Sequence, residues 1–158
     1  MKGDKMGKYS TGIIRHKALQ PLSHHHREAL FIALHLKRAG TDKARFSLTK
    51  VLSDTKEYWE KKGKQHLRLE EEVLLPAFAK FSSIDSPEIK QMLVEHVQLR
   101  SCMNTLLLNS EVNLAYLNNT GNLLESHIRK EERLIFPFIE AAMPEEKLQE
   151  VALLLHEK

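Results

Sequence analysis

An all-α fold is predicted for this chain: an antiparallel four-helix bundle with a short C-terminal helix and an irregular N-terminal lead-in. Three observations predict it. Glycine and proline are scarce, six and five in 158 residues, while the helix formers Leu, Glu, Lys and Ala are plentiful. Apolar residues recur at helical spacing through four long stretches joined by short connections. One segment also occurs twice: His66-Leu67-Arg68-Leu69-Glu70-Glu71-Glu72-Val73-Leu74-Leu75-Pro76 returns as His127-Ile128-Arg129-Lys130-Glu131-Glu132-Arg133-Leu134-Ile135-Phe136-Pro137.

Residues 1–20 show no period and form the lead-in. The first helix is expected to begin at Ser23, a residue type suited to the N-cap, and to be stopped by Gly40. Its apolar stripe is Leu22, Ala29, Leu30, Ala33 and Leu36, with His26 inside it. Thr41 or Asp42 caps a longer second pattern reaching Phe81, in which Leu48, Val51, Leu52, Trp59, His66, Leu74 and Phe78 share a face. Pro76 is expected to kink that helix or tighten its last turns. Pro87 suits the first position of a third helix that runs to Leu108, with Ile89, Leu93, His96, Met103 and Leu107 inward. The fourth pattern covers about 112–143, with Leu117, Leu124, His127, Ile135 and Phe138 inward. Pro144 then opens a short last helix. Nothing resembles an interdomain linker, so the organisation is a basic segment, 1–20, followed by one bundle, 21–158.

The net charge of +3 is unevenly placed. Residues 1–20 carry five basic side chains (Lys2, Lys5, Lys8, Arg15, Lys17) against the single acid Asp4, a balance of +4, which leaves the remainder at −1 by subtraction. A nearly neutral body lacks the broad positive footprint of a nucleic-acid binder. No apolar run is long enough to span a membrane. The one cysteine, Cys102, has no internal partner for a disulfide, and a reducing cytoplasm is the expected location.

The chemistry lies in the histidines on inner stripes. Residues four apart on a helix stack on one face, so each copy of the repeat presents an imidazole beside a carboxylate, His66 with Glu70 and His127 with Glu131. The first helix adds His24, His25 and His26, and the third adds His96. Successive helical positions diverge by about 100°, so the three consecutive histidines cannot all face one cavity. His26 aligns best with the apolar stripe, His25 is second, and His24 is expected in solvent. A single His-x-x-x-Glu pair is more often a solvated pair, and a lone histidine on an apolar face is more often plain core. Their coincidence on four helices points to metal, because burying four imidazoles and two carboxylates without a shared partner is expensive. Such a set exceeds one tetrahedral zinc site and suits two ions sharing bridging oxygens. The candidate metal ligands are therefore His26, His66, Glu70, His96, His127 and Glu131. His25, Arg100 and Trp59 are further candidates, as ligands or as residues behind the ligands. His16, His35 and His156 are expected in solvent. No Ser-His-Asp or Cys-His arrangement is supported by spacing, so no catalytic residue is assigned.

These residues resemble the hemerythrin family, in its bacterial form the HHE cation-binding domain. The family pattern is a helix-one histidine, two His-x-x-x-Glu-Glu-x-x-Leu-Phe-Pro segments on helices two and four, and Glu-His on helix three. It is met by His26, by His66, Glu70 and Pro76, by Glu95-His96, and by His127, Glu131 and Pro137. The stretch Arg15-His16-Lys17-Ala18-Leu19-Gln20-Pro21-Leu22-Ser23 also resembles the lead-in of one bacterial branch. The resemblance covers about residues 16–143. It implies a hemerythrin-like bundle around two iron ions with an oxo or hydroxo bridge, Glu70 and Glu131 bridging and the histidines terminal, and one iron open to a small ligand. The donor set also accepts zinc, manganese or nickel. Oxygen-carrying members have His-x-x-x-His on helix three, and here the second position is Arg100. Either Arg100 pairs with a glutamate such as Glu71 or Glu132, or its cation lies beside the open position and draws in an anion.

The expected function is a non-haem di-iron protein that binds or senses dioxygen, nitric oxide or redox state, or that handles iron. Its partners would be a small diatomic ligand or peroxide, with neither nucleic acid nor membrane. One alternative is a di-iron enzyme reducing peroxide or nitric oxide. Another is a metal-free helical interaction module.

Overall fold

In the computed structural model, residues 14–109, 111 and 113–156 are described. Most of the basic lead-in, residues 1–13, lies outside them. Among the described residues the chain is helical with no strand. Helix α1 is Gln20–Arg38. Helix α2 is continuous over 48–78 and consists of Leu48–Tyr58, Lys64–Leu69 and Leu75–Phe78, joined by wide π-turns at Trp59–Gly63 and Glu70–Leu74. Helix α3 is Pro87–Leu108. Helix α4 covers 114–142 as Leu114–Lys130 and Phe136–Ala142, with a π-turn at Glu131–Ile135 between them. Helix α5 is Glu145–His156, as the sequence predicts.

The pairings run antiparallel. Between α1 and α4, Lys37 meets Glu125 while His26 meets Glu132. Between α1 and α2, Glu28 meets Lys62 while His26 meets His66. Helices α1 and α4 lie close because Gly121 has no side chain: a Cβ there would stand 2.7 Å from the Ala33 carbonyl oxygen and from the Lys37 nitrogen. Asn118 of α4 donates to the carbonyls of Leu36, Lys37 and Ala39, which satisfies the C-terminal end of α1. Gly40 follows at φ 75°, the left-handed stop that the sequence predicts.

Three boundaries differ from expectation. The first helix starts a turn before Ser23, because Pro21 sits in its opening turn and a 3₁₀ turn, Lys17–Leu19, feeds into it. His16 caps that turn through Nδ1, which accepts from the Ala18 amide at 2.9 Å, and Ser23 Oγ accepts from Arg15 instead of capping. The second helix starts at Ser47, whose hydroxyl accepts from the Lys50 amide, and ends at Phe78. Thr41 closes α1 instead, donating to the Arg38 carbonyl at 2.7 Å. Pro76 loosens its helix, where a kink or a tightening was expected. Proline lacks the N–H its i−4 carbonyl needs, and the turn before it widens so that the Leu75 amide reaches the Glu70 carbonyl. The second copy repeats this, with the Phe136 amide on the Glu131 carbonyl. The extra residue in that turn advances the phase of α4. Ile139 is therefore fully buried, and Phe138, expected inward, is 38 % exposed.

The core divides into two apolar clusters. One holds Leu19, Leu22, Leu74, Phe78, Ile89, Phe136 and Ile139, with Leu148, Val151 and Leu155 of α5. The other holds Ala33, Leu36, Trp59, Leu67, Leu99, Met103, Leu117 and Leu124. His26, His96 and Glu131 fall between these two sets along their helices, His66, Glu70 and His127 lie within a residue of that boundary, and all six are buried. A polar layer thus lies between two dry ones.

Candidate metal centre

The six residues come from four helices, and the repeat explains four of them. In each copy the histidine and the glutamate one turn on point inward together: His66 Nε2 is 3.0 Å from Glu70 Oε2, and His127 Nε2 is 2.8 Å from Glu131 Oε2. Each glutamate opens a π-turn, the wide geometry often found at functional sites.

The cluster has two halves. His26, His66, Glu70 and Glu131 offer donor atoms within 4.8 Å of one another, and so do His96, His127, Glu70 and Glu131. The carboxylates are shared, one oxygen to each half. Glu70 turns Oε2 toward His66 and Oε1 toward His96 at 3.1 Å. Glu131 turns Oε1 toward His26 at 3.0 Å and Oε2 toward His127. Both Glu70 oxygens, Glu131 Oε1 and His127 Nε2 are buried without a hydrogen-bond partner, although oppositely charged atoms stand near 3 Å. Ligand-type atoms gathered within 4.8 Å of one another, several of them without a hydrogen bond, are an arrangement a cation fills. Orphaned buried polar atoms are otherwise costly. The donor set, imidazole with bridging carboxylate, fits a pair of divalent ions.

Behind each of these histidines stands a partner for its outer nitrogen. His96 Nδ1 meets Glu71 at 2.6 Å, His26 Nδ1 meets Glu132 at 2.6 Å, and His127 Nδ1 meets Glu95 at 2.8 Å. These carboxylates hold the rings in orientation and raise ligand basicity. They are held in turn. Arg100 forks onto both oxygens of Glu71 at 2.8 Å. Arg15 bonds to Glu132 and Glu140 and lies 5.2 Å from the Phe136 ring centre. Lys130 pairs with Glu95 at 2.5 Å. His66 differs: its Nδ1 faces His25 Nδ1 at 3.1 Å, and one ring must donate while the other accepts.

These contacts set the charge states. Burial opposes protonation of His66, yet Glu70 and Glu131 push it up to about 10. His96 is likewise raised to about 10 and His127 to about 9 against their burial. Glu131 is held well below the carboxylate range by His127, His26 and His66 in spite of complete burial. His127, Gln91 and Lys130 overcome burial to bring Glu95 down to about 2. Burial and the neighbouring His66 and His26 lower His25 to about 4, so it stays neutral. Without metal, the buried carboxylates are balanced by protons on the imidazoles.

The structure therefore brings all six sequence-derived candidates together. His25 stands behind His66. Arg100 is committed to Glu71, so its cation is not directed at an open position. Trp59 is buried in the second apolar cluster and contributes no donor atom. His24 and His156 are exposed, as expected. His35 is not: it is buried between the rings of Phe31 and Phe46, at 4.4 and 4.6 Å. His16 is half-buried and meets Glu145 at 2.9 Å.

The pairing of Arg100 with Glu71 is one of the two expected outcomes; the contacts of Glu71 and Glu132 with the histidines, and the role of Arg15, were not foreseen. A signal for the two glutamates exists: both copies carry a Glu-Glu doublet, and two adjacent positions diverge by about 100°. If the first glutamate faces the centre, the second faces the neighbouring helix.

A cavity of about 220 Å³ lies between α3 and α4 and reaches His127 and Glu131. Pro87, Met92, Leu134 and Ile135 line it together with Glu88, Gln91, Glu95 and Lys130. No helix among the described residues is long and apolar enough to cross a membrane.

Compared with known proteins, the chain matches the family model Hemerythrin HHE cation binding domain over residues 18–139. No curated protein and no solved structure matches it. The matched span runs from the turn ahead of α1 to Ile139 in α4 and encloses the whole buried cluster, so the chain belongs to the hemerythrin family.

Proposed function

We propose that this protein is a non-haem di-iron protein of the cytoplasm that binds or senses dioxygen, nitric oxide or redox state. One observation carries the reading: two buried carboxylates each give one oxygen to each of two imidazole pairs, with the oxygens of Glu70 lacking any hydrogen-bond partner. His26 and His66 would hold one ion, His96 and His127 the other, and Glu70 and Glu131 would bridge. An iron pair, when bound, supplies one-electron chemistry and a position for a small ligand. The chain supplies the rest. Glu132, Glu71 and Glu95 orient three of the rings, and the two apolar clusters keep bulk water from the layer between them.

The test is metal content with a spectrum. Protein loaded anaerobically with ferrous ion is expected to retain two irons per chain and, after exposure to air, to develop near-ultraviolet charge-transfer absorption. His66→Ala is expected to lose much of both. Iron retention at background level in the wild-type chain would leave the metal-free interaction module as the better reading.

A further inference from the structure

The outer face of α1 is basic and carries one open ring. His24, Arg27, Phe31, Leu34 and Arg38 form it in alternating steps of three and four residues, with no carboxylate among them. Phe31 is 49 % exposed, yet its ring is fixed from beneath by His35 at 4.4 Å and by Phe46 at 6.4 Å. A ring already held in place loses little freedom when something covers it. Around the C-terminal end of α1, the side chains of Arg38, Lys43 and Arg45 have no ion pair or hydrogen bond among the described residues. The carboxylates nearby are taken: Glu28 by Lys62, Asp54 by Lys50 and Glu125 by Lys37. Against Asp42 alone, these three cations leave an excess of two charges.

Helix α5 presents the opposite character. Its inner face, Leu148, Val151 and Leu155, packs into the first apolar cluster. Its outer face combines Glu146 and Glu150 with Leu153 and Leu154, which are 68 % and 48 % exposed. Glu146 has no partner among the described residues, and Glu150 has Lys147 of its own helix at 3.3 Å. A short helix with leucines on both faces buries one face and offers the other to a second surface. Helix α5 also lies beyond the span 18–139 that the family model matches, so its outer face is no part of the shared bundle.

The two faces do not meet within one chain. Helix α5 is fastened to the start of α1, through His16 and Glu145 at 2.9 Å and through the cluster that holds Leu19 and Leu22. The free cations stand at the far end of a 19-residue helix, about 28 Å along its axis. A second copy can supply an α5 there. We propose that this chain forms a two-fold homodimer in which α5 of each copy lies on the outer face of the other copy's α1. Glu146 and Glu150 meet Arg38, Lys43 and Arg45, and Leu153 and Leu154 cover Phe31. A single helix face is small beside the roughly 800 Å² that each partner gives to a standard interface, so the contact, even made twice, gives a reversible dimer.

Sedimentation equilibrium of the full chain tests it. The wild type is expected to show a monomer–dimer equilibrium that weakens as salt is raised, because the pairing charges lie at the surface. Arg38→Glu and Glu150→Arg should each weaken self-association by about tenfold or more. Mixed in equal amounts, the two variants should restore the dimer: each alone sets like charges together, and the mixture joins opposite ones in both contacts. Leu153→Ser changes an exposed position, spares the fold and should weaken the dimer through its apolar part. If a charge reversal unfolds the chain, Leu153→Ser and the salt series still decide. A wild type that is monomeric at about 1 mM would overturn the proposal. So would a dimer indifferent to all three variants, or reversed chains that stay apart when mixed.

Discussion

The His26–His66 half and the His96–His127 half hold the same donors and differ in what stands behind them. Two of the four histidines are backed in parallel fashion: His26 by Glu132 and Arg15, His96 by Glu71 and Arg100. The remaining two break the parallel. His127 leans on the carboxylate of Glu95, and His66 leans on the neutral imidazole of His25. A carboxylate behind a ligating imidazole increases its electron donation, and a neutral imidazole does so less. The duplicated segment thus makes a nearly symmetric cage whose two positions are electronically distinct. Symmetry comes from the repeat and asymmetry from α1 and α3, which the repeat does not include.

The largest effect should come from removing what the halves share. Glu131→Gln keeps the shape and deletes the charge that faces all four histidines. Both ions should be lost together, so metal analysis should find the variant near zero. His127→Ala should strip chiefly one half. A Glu131→Gln chain that retains one full equivalent would show that the carboxylates do not bridge.

Metal removal should then expose a pH dependence of opposite sign in the two forms. In the metal-free fold His66, His96 and His127 are raised from 6.5 to about 10, about 10 and about 9. A raised histidine contributes its stability in full below the unfolded value and loses it as pH climbs through the folded value. Metal-free protein should therefore melt at progressively lower temperature between about pH 6.5 and about 10. In the loaded protein, ions take the place of those protons, and acid competes for the ligands. Its melting temperature should hold over that alkaline range and fall toward acid. Parallel thermal melts with and without metal decide it, and identical slopes would argue against imidazole ligation.

The parts of this arrangement that the sequence made legible were those with short-range geometry. His66 with Glu70 and His127 with Glu131 could be read because four-residue spacing places them on one helical face. Gly40, Pro87 and Pro144 marked ends through backbone properties that need no tertiary context. Glu71 and Glu132 were legible only as charges. Their histidines lie 25 and 106 positions away, and only the bundle brings them together. His35 was misplaced for the same reason, since Phe46 covers it from the loop after α1. Phe138 was assigned inward because a regular period was carried across Glu131–Ile135, where the widened turn shifts the phase. Both helices carry a proline soon after the buried glutamate, and that proline is the local cause the period overlooks.

Below the shared carboxylates in expected effect come the residues that distinguish the halves. Glu95→Gln removes the charge behind His127 and leaves an amide able to bond the ring. Metal affinity in that half should fall by roughly 10–100-fold, the usual penalty for losing such a partner. The other half should be nearly untouched, which sequential metal titration can resolve.

The smallest effect separates the two arginines. Arg15 is 7 % exposed at its side chain and joins Ser23, Glu132 and Glu140, so it ties the segment ahead of α1 to α4 as well as holding the partner of His26. Arg100 is 35 % exposed, and among the described residues its hydrogen bonds go to Glu71. A partly exposed ion pair contributes little by itself, about 0–1 kcal/mol, while a charge-bonded group shielded from water contributes more. Arg15→Met should therefore lower both metal affinity in the His26 half and thermal stability, and Arg100→Met should shift affinity in the His96 half only a few-fold, on the order of 1 kcal/mol or less. Lysine should rescue Arg100 poorly, because the two-pronged contact with Glu71 needs a planar guanidinium. Equal losses from both arginine variants would mean that the segment ahead of α1 carries no weight in holding His26, and that the two halves are supported alike.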